Sequence, residues 1–158
     1  MKIYLAGPCD SDNRSMMVQI AKELRNYDSN INLYCPFELK IENAWNYSQE
    51  EWAKMVFDKD VEAINNCDVM ILISLGRISS AGTNWEQGYA YAKGKKIIVF
   101  QITDTPTSLM TYCGCKYFLN TSKVQLAQDL YWVVQRIIDN HIDYYIDYYT
   151  DECRTVLT

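Results

Sequence analysis

Positive charge is scarce in this sequence. It carries 15 Lys and Arg against 20 Asp and Glu, a single histidine and a net charge of −5. No basic cluster interrupts that balance, so the electrostatic footprint of a nucleic-acid partner is missing. Long apolar runs are missing as well. None approaches the roughly 18 residues that a membrane-spanning helix needs, so no membrane partner is expected. The apolar run inside MKIYLAGP is too short for the central segment of a secretion signal. The six cysteines, Cys9, Cys35, Cys67, Cys113, Cys115 and Cys153, are scattered along the chain. Without a secretion signal they read as reduced thiols, and the expected location is cytoplasmic. Cys113-Gly114-Cys115 has the wrong spacing for a zinc knuckle and the one histidine is His141. Neither a metal site nor a cofactor is therefore expected.

What is present is material for a core. Apolar residues make up 49% of the 158, enough for one domain spanning 1–158. Lys2–Ala6 is a short apolar run stopped by Gly7-Pro8, as a buried strand entering a loop would be. Ser11, Asp12 and Asn13 are candidate caps for a helix from Arg14 to about Tyr27, with Met16, Met17, Ile20, Ala21 and Leu24 as its apolar stripe. Ile31–Cys35 reads as a second strand ended by Pro36, and 37–47 as irregular. Ser48-Gln49-Glu50-Glu51 is a capping box that opens a helix to about Asn66. Val69–Ile73 lacks polar alternation, as a strand covered on both faces does. A loop, a helix over Asn84–Lys93, a stop at Gly94 and a strand over Lys96–Phe100 follow. Thr103–Gly114 reads as a loop, Lys116–Leu119 as a weak strand and Ser122–Asn140 as a last helix. The tail IDYYIDYYTDE is open between helix and ordered tail.

Strands and helices alternating at this spacing predict an α/β protein. The expected form is a flavodoxin-like three-layer sandwich with a five-stranded parallel sheet in the order 2-1-3-4-5. Ligands in such sheets bind at the carboxyl ends of the strands, where the order reverses. Gly7–Arg14, Ser74–Gly82 and Gln101–Ser108, after strands 1, 3 and 4, are the segments to examine.

Glu86 stands out among them. It opens the helix after Ser79-Ser80-Ala81-Gly82-Thr83, flanked by Trp85 and Tyr89. A first-turn acid favoured by the helix dipole accounts for such a glutamate. A carboxylate beside two aromatic rings near the expected cleft, however, is costly unless paired or used.

Three segments carry a resemblance: KIYLAGP at the start, NCDVMILI in the middle, and GTNWEQGYAYAKGKKIIVF after it. Together they resemble the nucleoside 2-deoxyribosyltransferase superfamily, which includes base-exchanging transferases and nucleotide N-hydrolases. The core of the match is Gly82-Thr83-x-x-Glu86-x-Gly88-x-Ala90-x-Ala92 after an Asp-led apolar strand, and the likeness covers most of 1–112. The family-like core extends to about 140, with an aromatic and acidic tail over 141–158. The resemblance implies that Glu86 is a nucleophile on the sugar's anomeric carbon. Breaking an N-glycosidic bond builds positive charge on the sugar, which a carboxylate stabilises or captures covalently. It further implies Asp60 as the acid that manages the leaving base's protons, and Tyr4 as the hydrogen-bond partner of the nucleophile. On spacing alone Asp60 reads equally as a solvated helix carboxylate, and Tyr4 as core. Asp68 reads as ordering the start of the third strand.

Two positions depart from the transferases. Where those carry a sugar-gripping aspartate this chain has Ser80, and where they carry an asparagine reaching into a neighbouring subunit it has Ser108, followed by Leu109-Met110. The related hydrolases of 2′-deoxynucleoside 5′-monophosphates have serine at both, where it helps bind the phosphate. An aspartate would repel a phosphate dianion, whereas a hydroxyl can donate to it. Ser11 and Arg14, at the start of the first helix, are candidates to add a donor and a charge beside a helix N-terminus; Gly7, Gly82 and Met110 complete the binding set, and a homo-oligomer is implied by the Ser108–Met110 element. The expected partner is a nucleoside or nucleotide. Base exchange on 2′-deoxynucleosides and a non-catalytic nucleotide-binding module are the alternatives. A flavodoxin is disfavoured because no Ser/Thr/Gly-rich phosphate cradle follows the first strand. Phe37, Trp45, Tyr47 and Trp52 are candidates to stack on the base.

Overall fold

A computed structural model describes residues 1–121 and 126–138. The ends expected for the last helix and the tail over 141–158 lie outside them. The chain alternates β1 (Lys2–Ala6), α1 (Arg14–Tyr27), β2 (Asn32–Tyr34), α2 (Gln49–Asn66), β3 (Val69–Ser74), α3 (Ala81–Ala92), β4 (Lys96–Gln101), α4 (Leu109–Cys113), β5 (Tyr117–Asn120) and α5 (Leu126–Ile138). The sheet is parallel throughout, in the order β2-β1-β3-β4-β5. The order reverses between β1 and β3, as expected.

The lack of polar alternation in β3 follows from two covered faces. Val69, Ile71 and Ile73 join Ile3 and Leu5 in one core layer, closed by Met17, Ile20 and Leu24 of α1 and by Leu126, Leu130 and Val133 of α5. Met70 and Leu72 join Tyr4 and Ala6 in the other, against Ile64 of α2 and Ala90 of α3. Truncating one of these side chains, as in Ile71→Ala, costs about 2–5 kcal/mol in a site that cannot collapse.

Local signals explain most boundaries. The capping box forms in full: Ser48 Oγ accepts from the Glu51 N–H at 3.2 Å, and the Glu51 carboxylate accepts from the Ser48 N–H at 2.8 Å. Gly94 ends α3 with φ of 67°, in the left-handed region where glycine is strain-free. The Asp68 carboxylate accepts from the Lys2 N–H at 2.8 Å, tying β3's approach to β1.

Three local expectations need correction. The residue capping α1 is Asn13, but its side chain makes no cap bond. Asp10 organises the turn instead, accepting from the N–H groups of Asp12 and Asn13 at 3.0 and 3.1 Å. Helix α3 begins at Ala81 rather than Asn84, because the Ser80 hydroxyl accepts from the Thr83 N–H at 3.1 Å. The segment 103–114 is not loop throughout: Ser108 Oγ accepts from the Met110 N–H at 3.2 Å and starts α4.

Candidate active site

The early start of α3 changes what Glu86 is. The first turn of α3 holds no acid, and Glu86 is its sixth residue. A helix-dipole role therefore does not explain it. Its side chain turns toward the carboxyl ends of β1 and β3, where it lines a cleft of about 330 Å³. Asp60 reaches the same cleft from α2. One rim is small and polar, made by Gly7, Cys9, Ser80, Gly82 and Thr83. The lining from the segment after β2 and from α2 is largely apolar, with Phe37, Leu39, Ile41, Trp52 and Val56. None of the cleft lining comes from 101–108 after β4, since β4 lies beyond β3 from the point of reversal. The irregular segment after β2, on the other side of β1, lines the cleft instead.

The electrostatics follow from burial. Withdrawal from water raises the Glu86 carboxyl from an ordinary 4.5 to about 7; the Tyr4 hydroxyl opposes the rise and the Asp60 charge adds to it. Tyr4 is wholly buried in β1. Its hydroxyl lies against Glu86, and burial and then the Glu86 charge push its own pKa well up. The pair does not meet the geometry of a direct hydrogen bond, and the Tyr4 oxygen is buried without a partner among the described residues. Asp60 is also held above the usual carboxylate range by burial, against the pull of a hydrogen bond from the Tyr34 hydroxyl to its Oδ1 at 2.7 Å. The Cys9 thiol is raised by burial and by Glu86 and Asp60, while Arg14 draws it down.

The structure thus gathers Tyr4, Asp60, Glu86, Gly7, Ser80 and Gly82. Ser11 and Arg14 are exposed in and after the β1–α1 loop and do not line the cleft; Ser11 Oγ donates to Asp12 at 3.3 Å. Ser108 and Met110 line a different groove, of about 340 Å³, with Gln87, Gly88 and Tyr91 of α3. Phe37 and Trp52 of the four aromatic candidates reach the cleft, and Trp45 and Tyr47 do not. Cys9 and Tyr34 belong to the site's surroundings although their sequence context does not single them out, and Thr83, a member of the quoted motif, lines the cleft without an expected role. Tyr34 could have been found from strand pairing, because it sits beside Tyr4 in the β1–β2 register.

The hydrogen bonds at the start of α3 decide what the rim can bind. Thr83 Oγ1 donates to the Gly7 carbonyl at 3.2 Å, so in its 2.9 Å contact with Ser80 it accepts. Ser80's one hydroxyl proton is therefore used inside the cap. The N–H groups of Ala81 and Gly82 are left without partners among the described residues, as the first donors of a helix are.

A doubly wound sandwich with two desolvated carboxyls in a cleft at its strand-order reversal is built to act on a small molecule. The chain belongs to the nucleoside 2-deoxyribosyltransferase family, whose model matches residues 3–136. It is an enzyme of the N-glycosidic bond. No curated relative matches the sequence significantly. Among solved structures it is similar to a 2-deoxyribosyltransferase from Bacillus psychrosaccharolyticus, with 26% identity, TM-score 0.65, and coverage of 80% of this chain and 90% of that one. It shares its fold with a conserved protein from Enterococcus faecalis, at 23% identity and TM-score 0.67, covering 82% of this chain and 96% of that one. A Clostridium botulinum CMP N-glycosidase has the same fold, at 18% identity and TM-score 0.58, covering 82% and 98%.

Proposed function

We propose that the protein cleaves the N-glycosidic bond of a nucleoside or 2′-deoxynucleoside 5′-monophosphate, with Glu86 as nucleophile and water as acceptor. The observation that carries this is the desolvated Glu86 carboxyl on the cleft, with Tyr4 beside it and Asp60 lining the same cleft. A Glu86 oxygen attacks C1′ and the C1′–N bond breaks. Its electron pair leaves with the base, which takes a proton from Asp60. A water then attacks C1′, returns a proton to Asp60 and frees Glu86. Burial suits both groups to their tasks: Asp60 retains a proton more readily, and Glu86 is about half ionised near neutrality.

The apolar wall of Phe37, Leu39 and Trp52 fits the flat base. The small polar rim fits the 5′ end, where the free N–H groups of Ala81 and Gly82 at a helix N-terminus favour an anion. Arg14, without an ion-pair partner among the described residues, adds positive charge on that side. No aspartate stands at Ser80 to oppose a phosphate. Ser108 and Met110 lie away from their own cleft, and Leu109 and Met110 are 66% and 82% exposed. This supports a symmetric homo-oligomer in which that element completes a neighbour's site.

Base exchange on 2′-deoxynucleosides is the competing reading, favoured by the 26% identity to a 2-deoxyribosyltransferase. A chromatographic screen of deoxynucleosides and their 5′-monophosphates, with and without added free base, separates the two. Release of base and sugar phosphate from monophosphates, lost in Glu86→Gln, is the expected result. Preferred use of the nucleoside with efficient transfer to the added base would assign the protein to the transferases.

A further inference from the structure

We infer that Tyr34 is a positioning residue of the site, holding Asp60 from behind and buttressing Tyr4. The inference rests on the reading of Asp60 and Glu86 as the reacting carboxyls. Four observations carry it. The Tyr34 hydroxyl donates to Asp60 Oδ1 at 2.7 Å. The Tyr34 ring stacks on Tyr4, with centroids 5.4 Å apart and planes 20° from parallel. Register pairs Tyr34 with Tyr4 on adjacent parallel strands, so β-sheet hydrogen bonding itself sets their spacing. Tyr34 does not line the cleft that Asp60 and Glu86 share; it lines a neighbouring groove with Lys59 and Glu62.

Asp60 is thus gripped on its rear oxygen, while Oδ2 has no hydrogen bond among the described residues and remains for substrate. One β2 side chain bears on two site residues: on Asp60 through its hydroxyl, and on Tyr4, which lies against Glu86, through its ring. Without the hydroxyl, Asp60 is free to rotate and loses the one donor, among the described residues, that favours its ionised form. The titratable groups around Asp60 are Tyr34 from β2, Tyr4 from β1, Cys9 from the β1–α1 loop and Glu86 from α3.

The test compares Tyr34→Phe, Tyr34→Leu, Asp60→Asn and Tyr34→Phe combined with Asp60→Asn. Substrate is whichever nucleoside or nucleotide the wild type turns over best. Tyr34→Phe should lower kcat about tenfold with KM changed less than threefold. It should move to higher pH the rate limb that Asp60→Asn abolishes. The double variant should be no slower than Asp60→Asn alone, since both act through one carboxyl. In the free protein, carboxyl-carbon NMR titration should place the Asp60 pKa higher in Tyr34→Phe, whether or not any substrate is turned over. Wild-type kinetics and an unmoved Asp60 titration in Tyr34→Phe would overturn the inference. So would losses that add fully in the double variant, or impairment in Tyr34→Leu alone, which would leave only ring packing. Failure of the functional reading shows separately, as undiminished turnover in Glu86→Gln.

Discussion

The Thr83 hydroxyl donates to the Gly7 carbonyl at 3.2 Å, across 76 positions of sequence. This bond fastens the start of α3 to the end of β1 and so sets where Glu86, three residues further on, meets Tyr4. Thr83 is almost wholly buried. Thr83→Val keeps the shape but leaves the Gly7 carbonyl and the Ser80 proton unpaired. It should cost about 1–3 kcal/mol, read as a lower urea midpoint. It should also slow turnover at saturating substrate by more than that stability loss explains in a fully folded sample. An unchanged midpoint would show that the bond does not hold the two elements together.

The raised Glu86 carboxyl makes a pH-dependent claim about stability. The folded protein holds this proton up to about 7, whereas an exposed glutamate loses it near 4.5. Between those values the native state binds the extra proton, so the favourable contribution is complete below 4.5 and is lost as pH rises through 7. The span corresponds to about 3 kcal/mol as an upper limit. Glu86→Gln should therefore be more stable than wild type at pH 8, and the gain should shrink toward pH 4.5. Activity should move the opposite way, vanishing in the variant and, in wild type, rising with pH through about 7 as the nucleophile ionises. Denaturant titrations of both proteins across pH 4.5–8 check the first part. A pH-independent difference would mean that Glu86 is not desolvated in solution.

The sheet was legible because its signals are local and repeated: the doubly apolar β3, the capping box at Ser48 and the stop at Gly94. The start of α3 was misplaced because Ala81-Gly82 looks like loop composition, and only the Ser80 cap makes it helical. The same cap decides whether Ser80 has a proton to offer, which no residue pattern reveals. Tyr34 was passed over because its role depends on β1–β2 register and on Asp60 from α2, contacts with no signature within one segment. Glu86 stands out from its place near the expected cleft beside two aromatic rings, whereas Asp60 and both roles come only from the family resemblance; burial of the two carboxyls supplies physical support.

Gly88 is a glycine without a tenant's reason inside one protomer. It sits in mid-helix, and nothing lies within 4 Å of where a Cβ would be. Glycine there costs about 0.5–1 kcal/mol relative to alanine. It lines the α3–α4 groove with Ser108 and Met110, the face assigned above to self-association. Gly88→Ala should raise the stability of the separated protomer by about that amount and weaken assembly, by letting a methyl group obstruct close approach. Sedimentation velocity alongside thermal melts reads both. An assembly that is unchanged in Gly88→Ala would place the interface on another face.

The charge of the rim at Ser80 tests the substrate class. Ser80 caps α3, and aspartate caps a helix as well as serine does, so Ser80→Asp should fold normally. The new carboxylate would stand beside the Ala81 and Gly82 N–H groups, the place proposed for the 5′-phosphate. It would occupy those donors and repel a dianion. A hydrogen bond to a charged group contributes about 1.5–3 kcal/mol, and 1.4 kcal/mol is about tenfold in affinity. The ratio of kcat/KM for a deoxynucleotide over its deoxynucleoside should therefore fall at least tenfold, chiefly through the KM of the nucleotide. Ser80→Ala is the control. It should cost about 1 kcal/mol of helix capping but leave the ratio nearly intact, because the backbone donors remain and the wild-type hydroxyl proton is already used by Thr83. The added charge in Ser80→Asp would also raise the Glu86 carboxyl further and slow both substrates near neutrality, so the comparison is made as a ratio at pH 8. A ratio unchanged in Ser80→Asp would place the phosphate elsewhere, with Arg14 the next position to probe.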